Sequence, residues 1–247
     1  MQVKLLHMHY NKYFFLACCF FLFQTCVEEK SVTFSETNIT TKNNSLVEVN
    51  IPKALGDKTI TDRINSEIAF VIMSALHIGD PDHVTSKSIE ESIDSFNNEY
   101  NAFISDFPET QQVWEAQIDG EVIFQSADII TVSLTSYVNT GGAHGILQIT
   151  LLNFDAQSGK RLSNTDLVND MEGFKTAIKP YFDNAIEDKN TLFEPDNFTL
   201  PANMGYSEEG LLMLYNVYEI APYSSGIIDF TVPFENVDGF LVFDSSM

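Results

Sequence analysis

Two short segments of this chain gather the residues with most chemistry to offer. In Tyr137-Val138-Asn139-Thr140-Gly141-Gly142-Ala143-His144-Gly145, three glycines fall within five residues and flank a histidine. Glycine reaches positive φ without steric cost, so successive backbone N–H groups there can line an anion-binding nest, with His144 at its rim. The alternative is a tight β connection whose histidine bonds to nearby backbone. The second segment, Leu214-Tyr215-Asn216-Val217-Tyr218-Glu219-Ile220-Ala221-Pro222-Tyr223, sets three tyrosines around a carboxylate and a proline. Tyrosine offers apolar area with a polar tip at low entropy cost, which suits a protein interface or a glycan platform. A corner packed by aromatics with satisfied hydroxyls is the alternative. The candidate contact residues are therefore Tyr137, Gly141, Gly142, His144, Tyr215, Tyr218, Glu219 and Tyr223.

Reactive chemistry has little support elsewhere. His77, His83 and His144 lack HExxH or any paired ligand spacing, and there is no GxSxG elbow, Walker loop or GxGxxG turn. Asp80 and Asp82 flank Pro81 without the oxygen ladder of an EF-hand loop. Acidic pairs such as Asp119 with Glu121 carry no mark of an acid/base couple. The expectation is no catalytic residue, no metal site and no cofactor. The enzymatic alternative is a cell-wall hydrolase that sets His144 near Glu219 or Glu115.

The N-terminus points to export. Lys4, His7, His9 and Lys12 form a basic stretch, and Tyr13 to Phe23 is an unbroken apolar run. At 1.5 Å per residue that run crosses about half of a ~30 Å hydrocarbon core, the length of a signal-peptide core and too short to span. Phe23-Gln24-Thr25-Cys26 follows, so residues 1–25 read as a lipoprotein-type signal with Cys26 as the acylated residue. Cleavage without a lipid is the alternative. Cys18, Cys19 and Cys26 are the only cysteines, which removes disulfides and thiolate chemistry from the folded part. The expected location is the cell envelope, with a lipid in the outer or cytoplasmic membrane.

With 35 acidic residues against 13 Lys and Arg, the formal net charge is −22. Removing a leader that carries Lys4 and Lys12 but no acid makes the remainder more negative still. Nucleic acid is excluded as a partner, because counterion release needs Lys or Arg. A basic protein or glycan is attracted, although acidic surfaces also serve plain solubility.

Residues 26–45 are polar and read as a tether. Leu46 to Ile51 alternates as a strand stopped by Pro52. Ile60, Ile64, Ile68, Val71, Ile72, Ala75 and Leu76 form one helical stripe; Ile89, Ile93, Phe96, Tyr100 and Phe103 form another behind the capping-box spacing of Ser88 and Glu91. The period then changes to two. Val113 to Phe124 contains Asp119-Gly120, the signal of a type I′ hairpin or of a bent continuous strand. Ile129 to Val138 and Ile146 to Phe154 are further strands. A helical stripe through Phe174, Ile178 and Phe182 precedes two late strands, Gly210 to Val217 and Ile227 to Val232. Helices early and strands late predict an α+β fold, a largely antiparallel sheet packed against two or three helices.

Tyr137 to Gly145, Asn153-Phe154-Asp155 with Ser158-Gly159-Lys160-Arg161-Leu162, Asp166-Leu167, and the run Gly210-Leu211 through Tyr215 to Tyr223 with Gly226 and Val232-Pro233-Phe234 resemble one family. It is the extracytoplasmic domain of unknown function shared by the anti-sigma factor RsiV and the accessory region of the deacetylase PdaC. Residues 46–150 resemble its usual N-terminal companion and 151–243 the C-terminal domain, as one compact unit. In RsiV the domain is a receptor for lysozyme, and in PdaC it accompanies a separate catalytic domain. The resemblance thus implies a non-catalytic module for a basic protein such as lysozyme, or else for peptidoglycan glycan. Neither an anti-sigma segment nor a deacetylase domain is recognisable in these residues.

Bacteria expressing the full chain and fed labelled palmitate are expected to label it. Label that persists in Cys26→Ser would refute acylation at that residue.

Overall fold

The computed structural model describes residues 32–244. The expected signal peptide and Cys26 lie outside them. In chain order the elements are β1 (Thr33–Asn38), β2 (Val47–Leu55), α1 (Lys58–Leu76), α2 (Ile89–Asp106), β3 (Glu115–Gln125), β4 (Ile129–Asn139), β5 (Ile146–Asp155), β6 (Arg161–Leu162), α3 (Asn164–Leu167), α4 (Met171–Ala185), β7 (Asn203–Ser207), β8 (Gly210–Tyr215) and β9 (Ile228–Val232). β1 to β6 form one sheet in that order, and β7-β8-β9 a second. All neighbours are antiparallel except β2 and β3. The α+β class with mainly antiparallel pairing is as expected.

The two early helices form where their stripes place them. Asp57 caps α1 by accepting the N–H groups of Thr59 and Ile60, and Ile60, Ile64, Ile68, Ile72 and Leu76 make its buried face. Ser88 caps α2 through the Glu91 N–H, while Glu91 Oε2 accepts the Lys87 N–H at 2.7 Å. Both helices bury against Val49, Ile118, Ile130, Val132 and Leu134 of the larger sheet. The second core joins Phe124 and Ile129 to Phe174, Ile178, Met204, Tyr206, Leu211 and Met213. Six consecutive residues of β4, Ile129 to Leu134, are therefore buried, because both faces of that strand are covered.

Several local expectations give way. Thr33–Asn38, read as tether, is an edge strand paired with Leu55 back to Asn50. Its outer face meets water, so its sequence stays polar. Part of the remaining tether is docked on α2: Ser45 N–H donates to Asn97 Oδ1 at 3.1 Å, and Asn97 Nδ2 to Asn44 Oδ1 at 3.0 Å. Pro52 does not stop β2. Pairing with β3 covers only Val47 to Asn50, so beyond it the strand has β1 alone as neighbour and the missing N–H is tolerated. Asp119-Gly120 lies in a continuous strand. Gly120 is needed there because a Cβ would stand 2.7 Å from Leu134 Cδ2 and 2.8 Å from Pro52 Cδ. The domain boundary expected at residue 150 falls inside β5, which pairs with β4 along its whole length.

Ile64 is fully buried, so Ile64→Ala should cost about 2–5 kcal/mol, whereas exposed Phe70→Ala should change stability by less than about 0.5 kcal/mol. Urea denaturation of the two variants against the parent measures both.

Candidate functional site

The register of β4 against β5 closes with Tyr137 opposite Leu147 and Val138 opposite Ile146, and residues 140–145 make the connection. Gly141 and Gly142 take φ of 96° and 91°, the left-handed region that this turn requires. The Gly141 N–H donates to Asn139 Oδ1 at 3.0 Å, so that part of the expected nest is already occupied by a side chain. At Gly145 a Cβ would stand 2.5 Å from the Tyr137 ring, so the absent side chain lets that ring lie on the backbone. His144 is exposed, with Nδ1 3.1 Å from the Gly145 carbonyl oxygen.

The outward edge of β5 is covered largely by side chains. β6 takes the edge at Asn153. Nearer the loop, the Leu151 N–H donates to Asn203 Oδ1 at 2.9 Å. The Ile149 N–H donates to Asn216 Oδ1, and Asn216 Nδ2 donates to the Ile149 carbonyl, both at 2.8 Å. The Asn216 amide thus does the work of a strand residue. Asn153 Nδ2 in turn donates to the Met204 carbonyl at 2.7 Å, while its Oδ1 accepts the Thr131 hydroxyl at 2.9 Å.

These bonds fix the tyrosine segment. Tyr215, expected at the partner surface, is instead fully buried, with its hydroxyl on the Thr199 carbonyl at 2.7 Å and its ring edge-on to Phe182. Burial, and then the charge of Glu219, raise its phenol well above the usual range. Glu219 is turned inward too: Oε1 accepts the Ala202 N–H at 2.7 Å and Oε2 the Asn216 N–H at 2.9 Å. Together with the Glu219 N–H on the Asn216 carbonyl at 3.1 Å, that carboxylate clamps the turn that presents Tyr218. Tyr218 has φ 67°, the only positive φ at a non-glycine among the described residues, and it is 53 % exposed. An aromatic residue in that region costs about 1–3 kcal/mol and persists only where its surroundings impose it.

The segments singled out in the sequence meet here. The Tyr223 hydroxyl donates to the Gly145 carbonyl at 3.1 Å. Its ring stacks on His144 with centroids 3.7 Å apart and planes 14° apart, and Tyr218 lies 5.7 Å from Tyr223. The result is a row of His144, Tyr223 and Tyr218 next to the start of β5, where Ile146 is 50 % exposed. His144 shares no hydrogen bond with Glu219 or Glu115 among the described residues, and no group of three or more His, Cys, Asp or Glu is placed there to hold a metal. What the site offers is aromatic and apolar surface on a braced turn. Asn203 and Asn216 were not anticipated as positioning residues. The strand expected over Gly210 to Val217 takes in Asn216, because Val217 and Tyr218 are strand formers, but it ends at Tyr215.

The architecture is that of an α+β module with a helix-covered sheet and a second, smaller sheet. Two family models match parts of the chain. Residues 39–147 match the family described as deacetylase PdaC, and residues 165–235 match the protein of unknown function DUF3298. The chain thus carries a PdaC-type region followed by a DUF3298 region, the pairing that its sequence resembles. No curated protein matches it. Among solved structures, a DUF3298 family protein from Pseudomonas aeruginosa PAO1 is similar with a TM-score of 0.56 at 18% identity, over 85% of this chain and 93% of that one. A DUF3298 member from Bacteroides fragilis NCTC 9343 gives 0.55 at 17% identity, over 86% of this chain and 93% of that one. At such identities the likeness is one of fold.

Asn216→Ala should lower stability by about 1–3 kcal/mol, because it leaves the Ile149 edge without its partner. Amide hydrogen exchange at Ile149 should accelerate along with it, and unchanged exchange there would show that the side chain does not hold the edge.

Proposed function

We propose that this chain is a non-catalytic recognition module of the bacterial cell envelope, exported and held by a lipid on Cys26, that binds a basic protein such as a lysozyme. The observation that carries this reading is the convergence of exposed His144, half-buried Tyr223 and exposed Tyr218 into one braced row. Rigid aromatic anchors of this kind dominate binding energy where they are desolvated by a partner. The net charge of −22 supplies steering for a cationic protein. The family resemblance supplies the lysozyme, and the clamped turn presents the exposed Tyr218 ring in a fixed position.

A second reading is supported by the same stack. Flat aromatic faces with polar rims also suit sugar rings, so peptidoglycan glycan is the alternative ligand. The two readings separate by salt and by probe.

Calorimetric titration of the full chain in detergent with a lysozyme should show micromolar or tighter binding at physiological salt, weakening as salt rises. Tyr218→Ala should reduce the affinity about tenfold or more, and Tyr218→Gly should do the same while raising stability by up to about 1 kcal/mol. No heat with lysozyme, together with retention on isolated sacculi that Tyr218→Ala and Tyr223→Ala abolish, would transfer the assignment to glycan. Variants that bind lysozyme and sacculi like the parent would sink both.

A further inference from the structure

The whole chain has only two arginines, Arg63 and Arg161. They lie almost a hundred residues apart in sequence and line one cleft of about 380 Å³, together with Lys160, Gly159, Asp62 and Glu67. In a protein with 35 acidic residues and 13 Lys and Arg, such a concentration of guanidinium groups calls for an explanation.

Local geometry builds the cleft. The turn after β5 presses on α1 at Gly159, which has φ 68° and sits so close that a Cβ would stand 2.5 Å from the Ile60 carbonyl oxygen. Arg63 on α1 reaches across and donates from Nη1 to the Ser158 carbonyl at 2.8 Å. Arg161 on β6 donates from Nη1 to Glu67 Oε2 at 3.1 Å. Each guanidinium is thus oriented through one terminal nitrogen, and the rest of its planar fork remains available.

The carboxylates of the cleft are already matched. Asp62 pairs with Lys58 and Glu67 with Arg161. Asp166, near enough to Lys160 to feel its charge, is held by the hydroxyl and N–H of Ser163. Arg63 donates to a carbonyl, and neither it nor Lys160 forms an ion pair with a carboxylate among the described residues. In the lining itself Arg63, Lys160 and Arg161 outnumber Asp62 and Glu67, the reverse of the balance over the whole chain. The acidic remainder of the surface is screened beyond about 8 Å at physiological ionic strength, so it does not cancel that surplus at contact distance.

We propose that this cleft is a binding site for a phosphate group, gripped by the forks of Arg63 and Arg161 with Lys160 as the additional charge. Its volume exceeds that of a bare phosphate, so a monoester or a diester also has room there. The site lies at the far end of β5 from the aromatic row. Ten residues at about 3.4 Å each separate the two by roughly 30 Å, and neither depends on the other.

The test is an NMR titration of the full chain in detergent micelles at fixed ionic strength, with inorganic phosphate in one arm and glycerophosphoglycerol in the other. Saturable shifts of the Gly159, Lys160 and Arg161 amides are expected. Lys160→Gln should weaken binding several-fold without disturbing the turn, and Arg63→Gln about tenfold or more. Saturation by the diester alone identifies an envelope polymer or lipid headgroup as the source. Saturation by inorganic phosphate alone identifies a monoester or free phosphate, and saturation by both supports the site for either. Shifts that do not saturate with either probe, or affinities equal in parent and Lys160→Gln, would overturn the proposal.

Discussion

A strand with a neighbour on one side only must still satisfy the hydrogen-bonding groups on its other side, and β5 does so in an unusual way. β6 pairs with it at Asn153 and Phe154 alone. Toward the loop, Asn203 and Asn216 serve its backbone in place of a strand. Buried amides without such partners cost about 1–3 kcal/mol each, enough to matter against the total stability of a domain. This edge therefore fixes where the second sheet can sit: β7 must bring Asn203 to Leu151 and β8 must end with Asn216 at Ile149. Asn153, reaching from β5 to the Met204 carbonyl and bonded to Thr131 on β4, closes the seam from the other direction.

The aromatic row follows from that seam. Once Asn216 is pinned, the chain must turn at once, and Glu219 closes the turn by gathering the N–H groups of Ala202 and Asn216. Tyr218 is carried into positive φ because both residues beside the Val217–Tyr218 step are fixed. Tyr223 then lands over Gly145 and His144, where its hydroxyl donates to the Gly145 carbonyl just ahead of β5. Residues that hold the row and residues that form it thus alternate within one short run: Asn216 and Glu219 face inward, Tyr218 and Tyr223 outward.

That alternation explains what could be read from the sequence. The helices were legible because Ile60, Ile64, Ile68 and Ile72 repeat at helical spacing on a face buried on one side. The middle strands were legible from alternation and turn residues. β1 was not, because an edge strand with a solvated face has the composition of a tether. β7 was not, because Asn-Met-Gly-Tyr-Ser is short, has no β-branched residue and carries a central glycine; it is a strand because it is enclosed, with Gly205 close to Thr131 of the larger sheet. Both chemically marked segments were legible by type, but not their contact. Periodicity has no way to report that a loop at residue 144 meets a ring at 223, nor that Tyr215 and Glu219 point into the protein. Those outcomes depend on long-range hydrogen bonds through Asn203 and Asn216, whose polar side chains look like loop residues in the sequence.

The same strand holds two regions of opposite character at its ends. At one end the connection of β4 to β5 meets the C-terminal run, and the surface is aromatic and apolar. At the other the turn of Ser158 and Gly159 meets α1, and the surface gathers both arginines of an acidic chain. Each end is tied to a different layer by a side chain bonded to a backbone carbonyl: Tyr223 to Gly145 from the second sheet, Arg63 to Ser158 from the helices. A hairpin loop and a tight turn would otherwise be the least constrained parts of the molecule. Each end of β5 is thus braced by a second layer of the fold. That is the condition under which loop residues present a defined surface to a partner without first losing conformational freedom on binding.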